Sequence, residues 1–135
     1  TMISYTVQEW MTPSPLTVTP ETSLTEADVM MEARWIRHLP VVEDNKPVGM
    51  LSLGDIREAK ATMNASTSAD EPLVRDLITP EPITVPGMTT MALAAQTMLQ
   101  AHISSLPVVD DDGFLTGILS ETDVLRLFIE ESKMG

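Results

Sequence analysis

The chain says nearly the same thing twice, and that repetition narrows what it can fold into more than any other feature. Residues 7–42 open on VQEWMTPSPLTV and close on HLPVV; residues 74–109 open on VRDLITPEPITV and close on SLPVV. At a constant offset of 67, fourteen of these 36 positions are identical, among them Thr12, Pro13, Pro15, Thr17, Val18, Leu39, Pro40, Val41 and Val42. One extra residue in the second copy shifts the offset to 68, and GMLSLGD (49–55) then lies over GILSETD (117–123). A period of this length predicts two copies of one structural unit, with any site duplicated or placed at the seam. A unit of about 60 residues buries only about 60% of its unfolded surface, so the halves are expected to need each other and to share a core.

Local patterns give the order of elements within one copy. The proline-rich leads MTPSP and ITPEP forbid regular helix and favour extended chain. LTV and ITV follow as very short strands. Ser23-Leu24-Thr25-Glu26 reads as a capping box, and Leu24, Ala27, Met31 and Trp35 recur at helical spacing, predicting one buried stripe to about Trp35. The counterpart runs from Thr90 to about His102. Leu39–Val42, a turn at Glu43–Lys46 and Val48–Ser52 form a hairpin, matched by Leu106–Val109, Asp110–Gly113 and Phe114–Ser120. Last helices are expected at about Gly54–Met63 and Glu121–Glu131. The fold class is α+β, in the order strand, helix, strand, strand, helix, twice.

Charge and composition exclude several functions. The net charge is −12, with −4 in residues 1–67 and −8 in residues 68–135. Such a surface repels phosphate backbones and anionic lipid, so no nucleic-acid or membrane partner is expected. No stretch approaches eighteen apolar residues and no signal-peptide pattern opens the chain, which predicts a soluble cytoplasmic protein. Cysteine is absent and histidine occurs twice, leaving little for metal or nucleophilic catalysis. P-loop, G-x-S-x-G, H-E-x-x-H and dinucleotide-binding fingerprints are absent too. Asp110-Asp111-Asp112-Gly113 invites a calcium-loop reading, but Phe114 and Leu115 occupy positions that should hold a ligand and a glycine. A hairpin turn is the better account.

The chemistry concentrates at Gly-x-x-Ser-x-x-Asp, where a strand meets a helix in each copy. Free N–H groups at a helix start suit phosphate, and a carboxylate three residues on can accept both hydroxyls of a ribose. The same spacing is equally a plain helix cap. Arg57 and Arg126, on the helices that follow, are within reach of a phosphate by a side-chain swing, but surface ion pairing is the better account.

The doubled pattern resembles the tandem CBS domain pair, or Bateman module, over about residues 5–132. The resemblance rests on the MTP/ITP leads, the TV strands, the LPVV strands and the two Ser-x-x-Asp junctions, in order and twice. Gly54 departs from it, standing where many members carry a bulkier residue. The resemblance implies repeats over 5–63 and 73–132, joined by a linker at 64–72. It implies pseudo-two-fold packing into one disc-like module with two clefts for AMP, ADP, ATP or S-adenosylmethionine. One cleft would use Thr12, Leu16, Thr17, Ile36, Arg37, His38, Ser120, Thr122 and Asp123. The other would use Ser52, Asp55, Thr79, Ile83, Thr84, Ile103, Ser104 and Ser105. Arg37-His38 in the first becomes Ser104-Ser105 in the second, so phosphate is expected at the Asp123 cleft and a less charged ligand, or none, at the other.

A regulatory module follows from this resemblance rather than an enzyme. No catalytic residue, metal or required cofactor is expected, and an adenine nucleotide is the regulatory ligand. Homodimerisation is implied, with Trp35, Leu125, Phe128 and Ile129 as interface positions, together with an effector protein that the sequence does not identify. The alternative is a ligand-free dimerisation or scaffold module.

Overall fold

The computed structural model describes residues 5–65, 71–78 and 80–134. In chain order these form α1 (Val7–Trp10), β1 (Thr12–Pro13), α2 (Leu24–Arg34), β2 (His38–Glu43), β3 (Lys46–Ser52) and α3 (Leu53–Ala65). A single 3-10 turn at Val74–Asp76 precedes β4 (Val85–Pro86), α4 (Met91–Ala101), β5 (Ser105–Val109), β6 (Leu115–Ser120) and α5 (Glu121–Met134). The expected order holds in both copies, with helices and hairpins within a few residues of their sequence-based bounds. Where the first copy should have its opening strand, Val18 makes a single parallel bridge to Val41. The equivalent pairing in the second copy is β4 beside β5, Val85 opposite Val108.

Two compact units result, and they do not follow the repeat boundary. One comprises residues 16–82; the other joins residues 1–15 to residues 83–135. The lead of the first repeat therefore packs with the body of the second, and the lead of the second packs with the body of the first. In place of one shared core, the described residues hold two buried clusters, one per unit. Leu24, Ala27, Met31, Leu39, Val41, Leu51, Ile56 and Val74 fill the contiguous unit. Val7, Met91, Ala94, Met98, Leu106, Val108, Leu119 and Leu127 fill the discontinuous one. Val7 and Val74, the lead residues, are each fully buried against the other copy's helices and hairpin.

Two glycines make this lead packing feasible. A Cβ on Gly117 would stand 2.4 Å from Met11 Sδ, and one on Gly49 would stand 2.4 Å from Ile78 Cδ1. Met11 and Ile78 occupy equivalent positions in the two leads. Each lies over the glycine of the other repeat's hairpin, and only glycine leaves room for it.

Helix boundaries follow from their caps. Ser23 Oγ accepts the Glu26 N–H at 3.1 Å, and Thr90 Oγ1 accepts the Leu93 N–H at 3.1 Å, each satisfying a first-turn donor. Acidic side chains outside these helices add further caps. Glu71 accepts the Thr25 N–H at 2.7 Å, and Glu9 accepts from Thr6 N and Oγ1 at 2.9 and 2.7 Å. Those hydrogen bonds favour the ionised carboxylates and hold both glutamates below the usual range.

Trp35 departs from expectation. The stripe formed by Leu24, Ala27 and Met31 is buried, but Trp35 is 94% exposed. The helix has already ended at Arg34, and Trp35 adopts the left-handed conformation at its C-cap (φ 56°). His102 does the same after α4 (φ 57°) and is also exposed. A left-handed cap turns its side chain off the helical stripe, so the 3.6-residue period stops applying one residue before the sequence suggests. Leu93 and Leu99 of α4 are likewise exposed, leaving Met91, Ala94 and Met98 as the buried face.

The hairpins turn differently. Asp44 and Asn45 both take positive φ (50° and 62°), the two-residue geometry that matches strand twist. The second turn carries the extra residue. Asp110 Oδ1 accepts the N–H groups of Asp112 and Phe114 at 2.9 and 3.0 Å, and Gly113 takes φ 86°. The Asp110 carboxylate is thereby engaged in shaping the turn.

Candidate functional site

Each Ser-x-x-Asp junction closes a hairpin and starts a helix, but the two are wired differently. At the first, the Ser52 N–H donates to Asp55 Oδ2 at 2.9 Å, and the Asp55 N–H donates to Ser52 Oγ at 3.1 Å. This is a reciprocal cap, and Asp55 remains partly exposed. At the second, the Ser120 N–H donates to Asp123 Oδ2 at 2.8 Å, and Ser120 Oγ donates to the same oxygen at 3.3 Å. The Arg126 guanidinium then takes Asp123 Oδ1, and Asp123 is only 4% exposed. Both carboxylates thus serve as caps, and one also carries an ion pair.

The contiguous unit places Arg37 and His38 beside the first junction. His38 lies opposite Ser52 in the hairpin register, and the Leu53 N–H donates to the Arg37 carbonyl at 2.8 Å. Arg37 also lines a groove of about 550 Å³ between α2 and α3, with Trp35, Ile36, Leu53, Arg57 and Lys60. Lys60 is committed to Asp28 there, at 2.6 Å. Leu16 is partly exposed and Thr17 partly buried. Thr79 lies outside the described residues, as do residues 66–70 of the expected linker; Glu71 and Pro72 of that linker cap α2.

The discontinuous unit places Ser104 and Ser105 beside the second junction. Ser105, 5% exposed, is opposite Ser120, and the Glu121 N–H donates to the Ser104 carbonyl at 3.0 Å. Thr12 of β1 pairs with Ile118 on the neighbouring strand. Thr122, Ile83 and Thr84 are exposed, and Ile103 packs partly against the core. Residues that the resemblance divides between two clefts are therefore neighbours within one unit: Arg37 and His38 with Ser52 and Asp55, Ser104 and Ser105 with Ser120 and Asp123.

Two features went beyond the sequence reading. Arg126 was expected to ion-pair, but its partner, Asp123, was not named, although the i,i+3 spacing on one helix signals it. Helix α1 was missed, and its signal was Thr6-x-x-Glu9, itself a capping box. No group of His, Asp or Glu among the described residues is arranged to hold a metal ion, and no helix among them is long and apolar enough to cross a membrane.

Two strand–helix–hairpin–helix units, each with a Ser-x-x-Asp turn, define a tandem-repeat α+β class, and comparison with known proteins identifies which. The CBS domain family matches residues 7–62 and 74–130, so the chain belongs to the CBS domain family and carries two copies. It is 37% identical over 109 residues to an inosine-5'-monophosphate dehydrogenase of Korarchaeum cryptofilum, covering 81% of this chain and 21% of that protein. The chain thus spans about a fifth of the length of the dehydrogenases it matches. The crystal structure of CBSX2 in complex with AMP is similar at 34% identity and a TM-score of 0.81, over 95% of this chain and 98% of that one. The CBS domain pair of protein MJ0100, in complex with 5'-methylthioadenosine and S-adenosyl-L-methionine, is 28% identical with a TM-score of 0.84, over 93% and 97%.

Proposed function

We propose that this chain is a regulatory module that binds an adenosine-containing ligand, AMP, ADP, ATP or S-adenosylmethionine, and catalyses no reaction itself. The observation that carries this reading is the twice-repeated Ser-x-x-Asp junction in a chain similar to CBS pairs that hold AMP or S-adenosylmethionine. Asp55 and Asp123 accept the ribose hydroxyls, and Ser52 and Ser120 lie where phosphate or ribose approaches. Arg37 offers a planar guanidinium suited to phosphate, and His38 adds a second cation when protonated. The remaining contacts are those that the resemblance assigns: Thr12, Leu16, Thr17, Ile36 and Thr122 with Asp123, and Thr79, Ile83, Thr84, Ile103, Ser104 and Ser105 with Asp55.

Binding regulates only if the ligand distinguishes two states, so a second conformation or a partner completes the mechanism. A homodimer fits the exposed apolar side chains: Leu125, Phe128 and Ile129 share one face of α5, and Trp35 projects from the end of α2. An effector protein would read the ligand-bound form. Calorimetric titration with AMP, ADP, ATP and S-adenosylmethionine tests the reading. At least one should bind, and Asp123→Ala should remove its ribose-dependent part; silence for all four would leave a ligand-free dimerisation module instead.

A further inference from the structure

The two carboxylates differ in what they have left to give. A carboxylate offers about four lone-pair positions, two per oxygen. Asp55 uses one, for the Ser52 N–H, and among the described residues its Oδ1 has no partner. A ribose diol, which needs two acceptor positions, finds them there without displacing a hydrogen-bond partner. At Asp123, Oδ2 already accepts from both Ser120 N and Ser120 Oγ, and Oδ1 is held by Arg126. One position remains on a side chain that is nearly buried.

We infer that Arg126 is a specificity-determining latch: it occupies the acceptor oxygen a ribose would need at Asp123, so that position admits only ligands bringing an anion to draw the guanidinium away. The inference rests on the reading of both carboxylates as ribose acceptors. Its mechanism is competition. The Arg126 side chain is 56% exposed and sits one helical turn from Asp123, so its head can swing off the carboxylate without disturbing the core. A neutral nucleoside offers it nothing in exchange, and displacing it would leave a nearly buried carboxylate without its counter-charge. A phosphate offers a better bidentate partner and frees Oδ1 in the same movement.

The first repeat lacks this device. Position 58, equivalent to Arg126, is glutamate, and the nearby Arg57 lies one residue earlier on the helix. Asp55 therefore sets no such barrier to a neutral ligand, whereas Asp123 does. One chain would read the phosphorylation state of an adenosine ligand at one carboxylate and its presence at the other.

Adenosine and AMP titrated calorimetrically into full-length variants test this. In an Asp55→Asn background, where the amide oxygen still caps Ser52, AMP should bind more tightly than adenosine. Adding Arg126→Ala should strengthen adenosine about fivefold or more, the scale of one exposed charge-assisted hydrogen bond, and shrink the preference for AMP. Arg126→Lys, which keeps the charge but loses the fork, should fall between. If Arg126→Ala leaves adenosine unchanged or weaker while Asp123→Asn abolishes binding, the latch is overturned and the ribose reading stands. If Asp123→Asn in that background changes nothing, both fail together. A thermal transition retained in each variant shows that the result reports binding rather than unfolding.

Discussion

The junctions at Ser52–Asp55 and Ser120–Asp123 share a sequence pattern and a helix start, but not a wiring. In the first, serine and aspartate cap each other's backbone, and the serine hydroxyl acts as acceptor. In the second, the hydroxyl donates to the carboxylate and an arginine takes the remaining oxygen. Duplication preserved the part that starts a helix, since that is needed twice. The surplus lone pairs were free to diverge. A repeated motif therefore certifies its structural role before its functional one, and equivalence of sites has to be read from the neighbours.

The same contrast extends to the two units, and four experiments test it. The largest effects belong to the hairpin core. Leu51→Ala and Leu119→Ala each empty a fully buried position and should cost about 2–5 kcal/mol by chemical denaturation. A large difference between them would show that one unit collapses around the void and the other does not. Next come the glycines beneath the leads. Gly49→Ala should cost about 1–3 kcal/mol, because Ile78 meets the new methyl with its branched Cβ and Cγ1 at 3.3 Å as well as its tip. Gly117→Ala should cost less, since the flexible Met11 thioether can move aside. A reversed order in denaturation midpoints would refute this account of lead packing.

Smaller still are the caps. Ser23→Ala and Thr90→Ala should each remove about 1 kcal/mol, read by thermal denaturation, as matched losses in the two units. The least effect concerns acid. Glu9 and Glu71 have depressed folded pKa values through hydrogen bonds at Thr6 and Thr25, so their stabilisation is present above the ordinary glutamate range and lost as pH falls through the folded values. Stability of the wild type should therefore drop more below about pH 4.5 than that of a Glu9→Gln, Glu71→Gln double variant. Parallel acid curves would exclude these two carboxylates as contributors.

What could be read in advance follows the range of each interaction. Ser23 and Thr90 announced their helices because a cap acts over three residues, and the LPVV hairpins announced themselves by strand patterning and turn residues. Trp35 was misplaced because periodicity carries no information about the left-handed residue that ends it. The pairing of each lead with the other repeat's hairpin was illegible in local pattern, since Met11 and Gly117 lie far apart in sequence and neither points to the other; only the resemblance, by setting Thr12 with Asp123, implied it. At the candidate site, the positions of Ser52, Asp55, Ser120 and Asp123 at helix starts were evident. Which lone pairs remained open was not, because that depends on one arginine's rotamer.

Because the leads are exchanged, the two units are completed at different moments of synthesis. Residues 16–82 form an unbroken stretch, so everything that unit buries has been made once residue 82 emerges. Residues 1–15 are made before that stretch but find their partners after it, in residues 83–135. At about 5–20 residues per second, that segment waits roughly 5 to 20 s for the hairpin that receives it, with Val7 and Met11 uncovered meanwhile. The contiguous unit can thus close first, and the lead that precedes it in synthesis is enclosed after it.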